Sequence, residues 1–169
     1  MSASIGIFYG STTGNTAEVA ELIAEQFAVP CDLHDLAESP LSLVSEYEKV
    51  ILGISTWDFG ELQEDWDEQW GEIAGLSLKG KTIALFGLGD QLGYGEWFVD
   101  AMGLLHEQLI KKGAVLVGQW PNQGYNFEAS KGLTQDQQYF VGLALDQDTQ
   151  RSETDERVEQ WVRLIQPYF

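Results

Sequence analysis

The stretch Ile5-Gly6-Ile7-Phe8-Tyr9-Gly10-Ser11-Thr12-Thr13-Gly14-Asn15-Thr16 is an apolar strand pattern opening into a hydroxyl- and glycine-rich turn, followed by an amphipathic helix pattern. A strand that feeds such a turn into a helix N-terminus gathers unpaired backbone N–H groups, the positive end of the helix dipole and side-chain hydroxyls at one point, which suits an anion. A Walker A loop is excluded because no Lys follows Gly14, and a dinucleotide fingerprint because Gly10 and Gly14 lack its spacing. The expected anion is a phosphate monoester held by neutral donors. The competing reading is a turn that merely caps the helix.

The length of 169 residues with 44% hydrophobic and 12% aromatic content suits one domain, residues 1–169, with a sizeable core. No basic leader, long apolar run or lipidation motif is present in it, so the expected location is the cytoplasm. The single Cys31 excludes an intramolecular disulfide and a cysteine-based metal cluster, and reads as a buried inert thiol. His34 and His106 have no ligand-spaced partners; His34 reads as structural or solvent-facing, His106 as exposed, and no metal site is expected. The charge is the unusual feature: 27 acidic against 9 basic residues give −18, with no Lys or Arg before Lys49. Nucleic acid and anionic membrane are poor partners for that surface, whereas a basic protein would be attracted over distance.

Helix periodicity predicts a first helix over about 15–28, and Val29 to Leu36 reads as a short strand followed by a helical turn over Pro40 to Tyr47. Val50-Ile51-Leu52-Gly53-Ile54 and Thr82-Ile83-Ala84-Leu85-Phe86 are apolar runs of buried parallel strands. Leu62, Trp66, Trp70 and Ile73 mark one helix stripe, and Phe98, Ala101, Met102, Leu105 and Leu109 another. Ala114 to Gly118 and Tyr139 to Leu145 read as two halves of a fifth strand, split by an insert over 119–138. A last helix opens near Ser152 or Thr154. Strands alternating with helices predict an α/β domain with a parallel sheet, right-handed crossovers and a ligand at the C-terminal strand edge. Three loops lie there: Ser11 to Thr16, Thr56 to Glu61, and Leu88 to Gly95. A phosphate turn with a large aromatic in each of the other two loops, Trp57 and Tyr94, suggests a flat heterocycle held between rings. Burial of those rings in the core is the alternative.

On these residues the whole chain resembles the flavodoxin family, and its Trp57 and Tyr94 segments look most like long-chain members of the bacterial flavodoxin 2 type. Flavodoxins are themselves the reference case of a five-stranded 2-1-3-4-5 sheet with helices on both faces and FMN at the switch point between strands one and three. The resemblance implies FMN contacts from Ser11, Thr12, Thr13, Gly14, Asn15 and Thr16, then from Ser55, Thr56, Trp57, Asp58, Phe59 and Gly60. It adds Leu88, Gly89, Asp90, Tyr94, Trp97 and Phe98, and more weakly Asp146 near the ribityl chain. Ser55 stands where Pro is common, which is expected to loosen the Trp57 loop. Trp97 stands where some members have Asn, which leaves a backbone N–H for the ring edge.

The resemblance implies a one-electron carrier, not an enzyme, that cycles FMN between semiquinone and hydroquinone. Its transient partners would be a basic NADPH-dependent flavodoxin/ferredoxin reductase and acceptor redox enzymes, with the chain itself a monomer. Gly60 lacks a β-carbon, so its peptide can turn over and present a carbonyl to the flavin. The anionic hydroquinone would face an uncompensated phosphate together with Asp58, Glu61 and Asp90. One unit charge about 10 Å away at an effective dielectric of about 20 contributes roughly 1.7 kcal/mol, or roughly 70 mV toward lower potential for a one-electron couple. An NAD(P)H-quinone reductase on the same fold is the main rival, and it requires an open flavin face. A phospho-receiver module lacks its acidic residues, with Ser11-Thr12 and Ser55-Thr56 in their places, and no hydrolase nucleophile motif is present.

Overall fold

The computed structural model describes residues 4–169. Strands β1 (Ile5–Tyr9), β2 (Cys31–Asp35), β3 (Lys49–Trp57) and β5 (Thr82–Leu88) pair in parallel, in the order β2-β1-β3-β5. The next position beside β5 is filled twice. β6 (Val115–Val117) pairs with its first half through Thr82↔Val115, and β9 (Leu143–Leu145) with its second half through Phe86↔Leu143. The 2-1-3-4-5 order and the interrupted fifth strand are therefore present. Within this sheet β4 (Glu61–Leu62) departs from the parallel pattern and folds back antiparallel on the end of β3.

The halves of the fifth strand are shorter than the apolar runs that announce them. Tyr139 and Phe140 form β8 and pair antiparallel with β7 (Trp120–Pro121) in a separate ribbon that closes the base of the insert. Gly142 then returns the chain to the sheet, where a β-carbon would lie 2.2 Å from the Leu85 carbonyl oxygen, an approach open to glycine alone.

Alternate residues of the central strands point to opposite faces. Ile5, Ile7, Ile51, Ala84 and Phe86 pack with α1 (Asn15–Gln26) and α4 (Thr154–Ile165), whose Trp161 is fully buried. Phe8, Val50, Leu52, Ile54 and Leu85 pack with Trp66 of α2 (Glu64–Gln69) and with α3 (Asp100–Lys111). Removing a side chain such as Trp161 would cost about 3–5 kcal/mol in transfer and cavity terms.

Several boundaries differ from the sequence pattern. α1 stops at Gln26, β2 is confined to Cys31–Asp35, and the expected helical turn is a 3₁₀ segment over Leu41–Glu46. The Leu62 to Ile73 stripe divides among β4, α2 and a 3₁₀ segment over Trp70–Gly75, because Gln63 caps α2 between Leu62 and Trp66. Cys31 is half-buried on an edge strand, and His34 takes the structural option, stacked on Phe8 at 4.5 Å between ring centroids. Tyr47 donates to Asp32 Oδ2 at 2.7 Å and accepts from His34 Nε2 at 2.8 Å. His106 is half-buried rather than exposed, and burial holds its pKa below the ordinary imidazole value.

Candidate functional site

The turn after β1 is built to leave donors free. Gly14 takes the left-handed conformation, φ +91°, at the N-cap of α1 and offers no side-chain cap. Ser11 does the capping from inside the turn: its Oγ accepts from the N–H groups of Gly14 at 3.1 Å and Ala17 at 3.3 Å. The amides of Asn15 and Thr16 lie ahead of the helix ladder, so no carbonyl of the helix can reach them. Thr12, Thr13, Asn15 and Thr16 all line one cavity of about 350 Å³.

Beneath this turn lies a residue with no signal in the sequence pattern, the fully buried Gln63. Its Oε1 accepts from the amides of Asp65 and Trp66, and its Nε2 donates to Thr12 Oγ1 at 3.1 Å and Asp65 Oδ2 at 2.8 Å. A β-carbon on Gly10 would fall 2.0 Å from that Oε1, so glycine at the start of the turn is what admits the amide. One side chain thus ties the turn after β1 to the start of α2.

The second wall is the end of β3, where Ser55, Thr56, Trp57 and Asp58 line the cavity. Trp57 is 36% exposed, and its indole Nε1 donates to Ser55 Oγ at 2.9 Å. Ser55 is paired in β3 opposite Leu88, so the strand runs on regularly here and the serine anchors the indole rather than loosening its loop. Thr56 Oγ1 accepts from the amide of Ala101, which caps α3 from the cavity side. Positive φ falls at Asp58 (46°) as well as Gly60 (87°), so the β3-β4 hairpin is tighter than glycine placement alone suggests. Aspartate tolerates that region better than most residues.

The third wall carries Leu88, Gly89, Asp90 and Tyr94, the last 42% exposed. Asp90 Oδ1 accepts from Leu92 and Gly93 amides, closing the loop that presents Tyr94. Gln147 and Asp148 supply a fourth wall that the sequence pattern did not announce. Asp146 holds that wall rather than lining it: buried, it accepts from the amides of Gln91, Asp148 and Thr149. Burial, then the neighbouring carboxylates of Asp90 and Asp146, raise the pKa of Asp148.

Ser11, Gly14, Phe59, Gly60, Trp97, Phe98 and Asp146 lie outside the cavity lining. Phe59 is 67% exposed and meets Trp97 edge-on at 5.0 Å between centroids. The Trp97 amide, expected to face a ring edge, donates instead to the Tyr94 carbonyl at 3.0 Å. Phe98 is core, stacked on Phe127 at 5.3 Å and packed on Phe140. The turn itself holds no Lys or Arg, yet the fold brings Arg151 to Asn15 Oδ1 at 2.9 Å, with Glu18 at 3.3 Å meeting its charge.

The cavity of this α/β domain lies above the switch point between β1 and β3, with the Thr12–Thr16 turn at one end and two part-exposed aromatic rings at the other, a shape and donor set that suit a flat phosphomonoester. A family model for flavodoxin matches residues 7–161. The chain is 48% identical over 163 residues to flavodoxin 2 of Escherichia coli (strain K12), covering 96% of this chain and 94% of that protein. To flavodoxin 1 of the same strain it is 47% identical over 164 residues, covering 96% and 93%. The structure matches that of the Fusobacterium nucleatum flavodoxin bound to flavin mononucleotide with a TM-score of 0.93 and 27% identity, over 99% of both chains. The chain belongs to the flavodoxin family and lies close to its flavodoxin 2 type.

Proposed function

We propose that residues 1–169 act as one FMN-binding domain and as a low-potential one-electron carrier between a basic NADPH-dependent flavodoxin/ferredoxin reductase and acceptor redox enzymes in the cytoplasm. The observation that carries this is the cavity that joins the Thr12–Thr16 turn to Trp57 and Tyr94. When bound there, FMN supplies the one-electron oxidation and reduction. Thr12, Thr13 and Thr16 with the amides of Asn15 and Thr16 hold the phosphate, and the rings of Trp57 and Tyr94 cover the flat part and exclude water. Asp58, Asp90 and Asp148 line the cavity with carboxylates, which opposes further negative charge on the cofactor and favours a low potential.

Among the described residues no helix is long and apolar enough to cross a membrane. The acids Glu64, Asp67 and Glu68 are exposed on α2, beside the Trp57 hairpin, and supply the charge that a basic reductase would meet. An absorption spectrum of the purified protein should show flavin bands, with FMN released on denaturation and two separate one-electron steps on photoreduction. A protein that neither carries nor takes up FMN overturns the reading.

A further inference from the structure

Resting on that reading, we infer that Asp100 is a positioning residue through which the 119–138 insert holds the Gly60 hairpin, so that the insert helps to set the flavin site. Asp100 is 1% exposed at the first residue of α3, and a β-carbon on Gly60 would lie 3.0 Å from its Oδ2. The carboxylate is therefore packed directly on the backbone of the turn between β3 and β4. Its other oxygen, Oδ1, accepts from the backbone N–H of Lys131 in the insert at 2.7 Å. The two oxygens of one buried carboxylate thus face hairpin backbone and insert backbone.

The insert is fastened at the same place by independent bonds. Phe98 N–H donates to the Ala129 carbonyl at 3.3 Å, Ser130 Oγ donates to the Phe98 carbonyl, and Gly132 N–H donates to Ser130 Oγ at 3.0 Å. A β-carbon on Gly103 would meet the Lys131 carbonyl oxygen at 2.1 Å, so the insert backbone lies flat on α3. Between these ties Val99 has φ +49°, a region that a β-branched residue leaves unless its surroundings hold it. The start of α3 is thus fixed by the insert, and Asp100 carries that constraint to Gly60, the residue with the widest backbone freedom in the hairpin.

The test is amide hydrogen exchange over residues 57–62, in the apoprotein and with FMN bound, for Asp100→Ala, Asp100→Asn and Ser130→Ala. Loss of the charged acceptor in Asp100→Ala should speed exchange there about tenfold, with residues 11–16 unchanged. Ser130→Ala, whose lesion is in the insert, should speed exchange at the same residues about threefold. Asp100→Asn keeps the shape and an acceptor oxygen, should give a smaller effect than Ala, and replaces Asp100→Ala if that variant does not fold. In the FMN-loaded variants the potential of the first one-electron step should move in the order of the exchange rates. Wild-type exchange over 57–62 in either Ser130→Ala or the Asp100 variants overturns the coupling. If the chain bound no FMN, the carrier reading would fail while exchange in the apoprotein still decided the coupling.

Discussion

The indole Nε1 of Trp57 donates to Oγ of Ser55, two residues earlier on the same strand, at 2.9 Å. Residues i and i+2 of a strand point to one face, so the hydroxyl fixes the rotation of a ring that is otherwise part-exposed. Ser55→Ala should raise the Kd of FMN and of riboflavin together by about three- to tenfold, which is the range of one net hydrogen bond. Flavin fluorescence quenching measures both. Wild-type affinities would mean that packing alone holds the indole.

Thr13→Val with Thr16→Val removes two hydroxyls from the anion turn at nearly constant volume. FMN should bind at least about tenfold more weakly, since hydrogen bonds to a charged group are worth about 1.5–3 kcal/mol each, while riboflavin should change little. Calorimetry with both ligands separates the cases. Equal losses would place the phosphate elsewhere.

Gly60 combines φ +87° with a carboxylate oxygen 3.0 Å from where a β-carbon would stand. Gly60→Ala should cost about 1–3 kcal/mol of stability, and about 2–4 °C of Tm for each kcal/mol in a chain of this size. Thermal unfolding of the apoprotein checks it. An unchanged Tm would show that the hairpin relaxes freely.

Charge reversal on α2 must spare Asp65, because its Oδ2 accepts from Gln63 and that amide supports Thr12. Glu64, Asp67 and Glu68 are exposed and separable from the cap. Their replacement by Lys should slow second-order electron transfer from a basic NADPH-dependent reductase several-fold at low salt, with FMN affinity nearly intact. The difference should shrink as added salt shortens the screening length below about 8 Å. Stopped-flow rates that coincide at low ionic strength would assign these acids to solubility.

Burial, then Asp32, pushes the Cys31 thiol up from 9.0 to about 11. At pH 8 its thiolate population is then about a hundredfold below that of the unfolded chain, and alkylation should slow in proportion. The sign for stability follows: above pH 9 the unfolded state loses this proton first, so stability falls as pH rises from 9 toward 11. Equal alkylation rates for native and denatured protein would contradict the burial of this thiol.

The sequence alone determined what is local. The strand-to-helix turn over Gly10 to Thr16 could be read because its glycines, hydroxyls and helix start are neighbours in the chain, and the strand-helix alternation put the Trp57 and Tyr94 loops at the same sheet edge. Tertiary structure decided what depends on partners far away in sequence. The run from Tyr139 to Leu145 looks like one strand, yet its first two residues pair with Trp120–Pro121 and its last three with β5, because an apolar run does not specify which edge it meets. Phe98 follows the Tyr94 loop in sequence yet is core, because the insert lays Phe127, and β8 lays Phe140, against its ring. Gln63, Gln147 and Asp148 carry no motif: Gln63 reaches Thr12 across 51 residues, and the loop that carries Gln147 and Asp148 is tied to the cavity by the Gln91 amide, which donates to Asp146 from 55 residues away. Burial creates the value of such bonds, since a buried amide or carboxylate must find its partners wherever the fold supplies them.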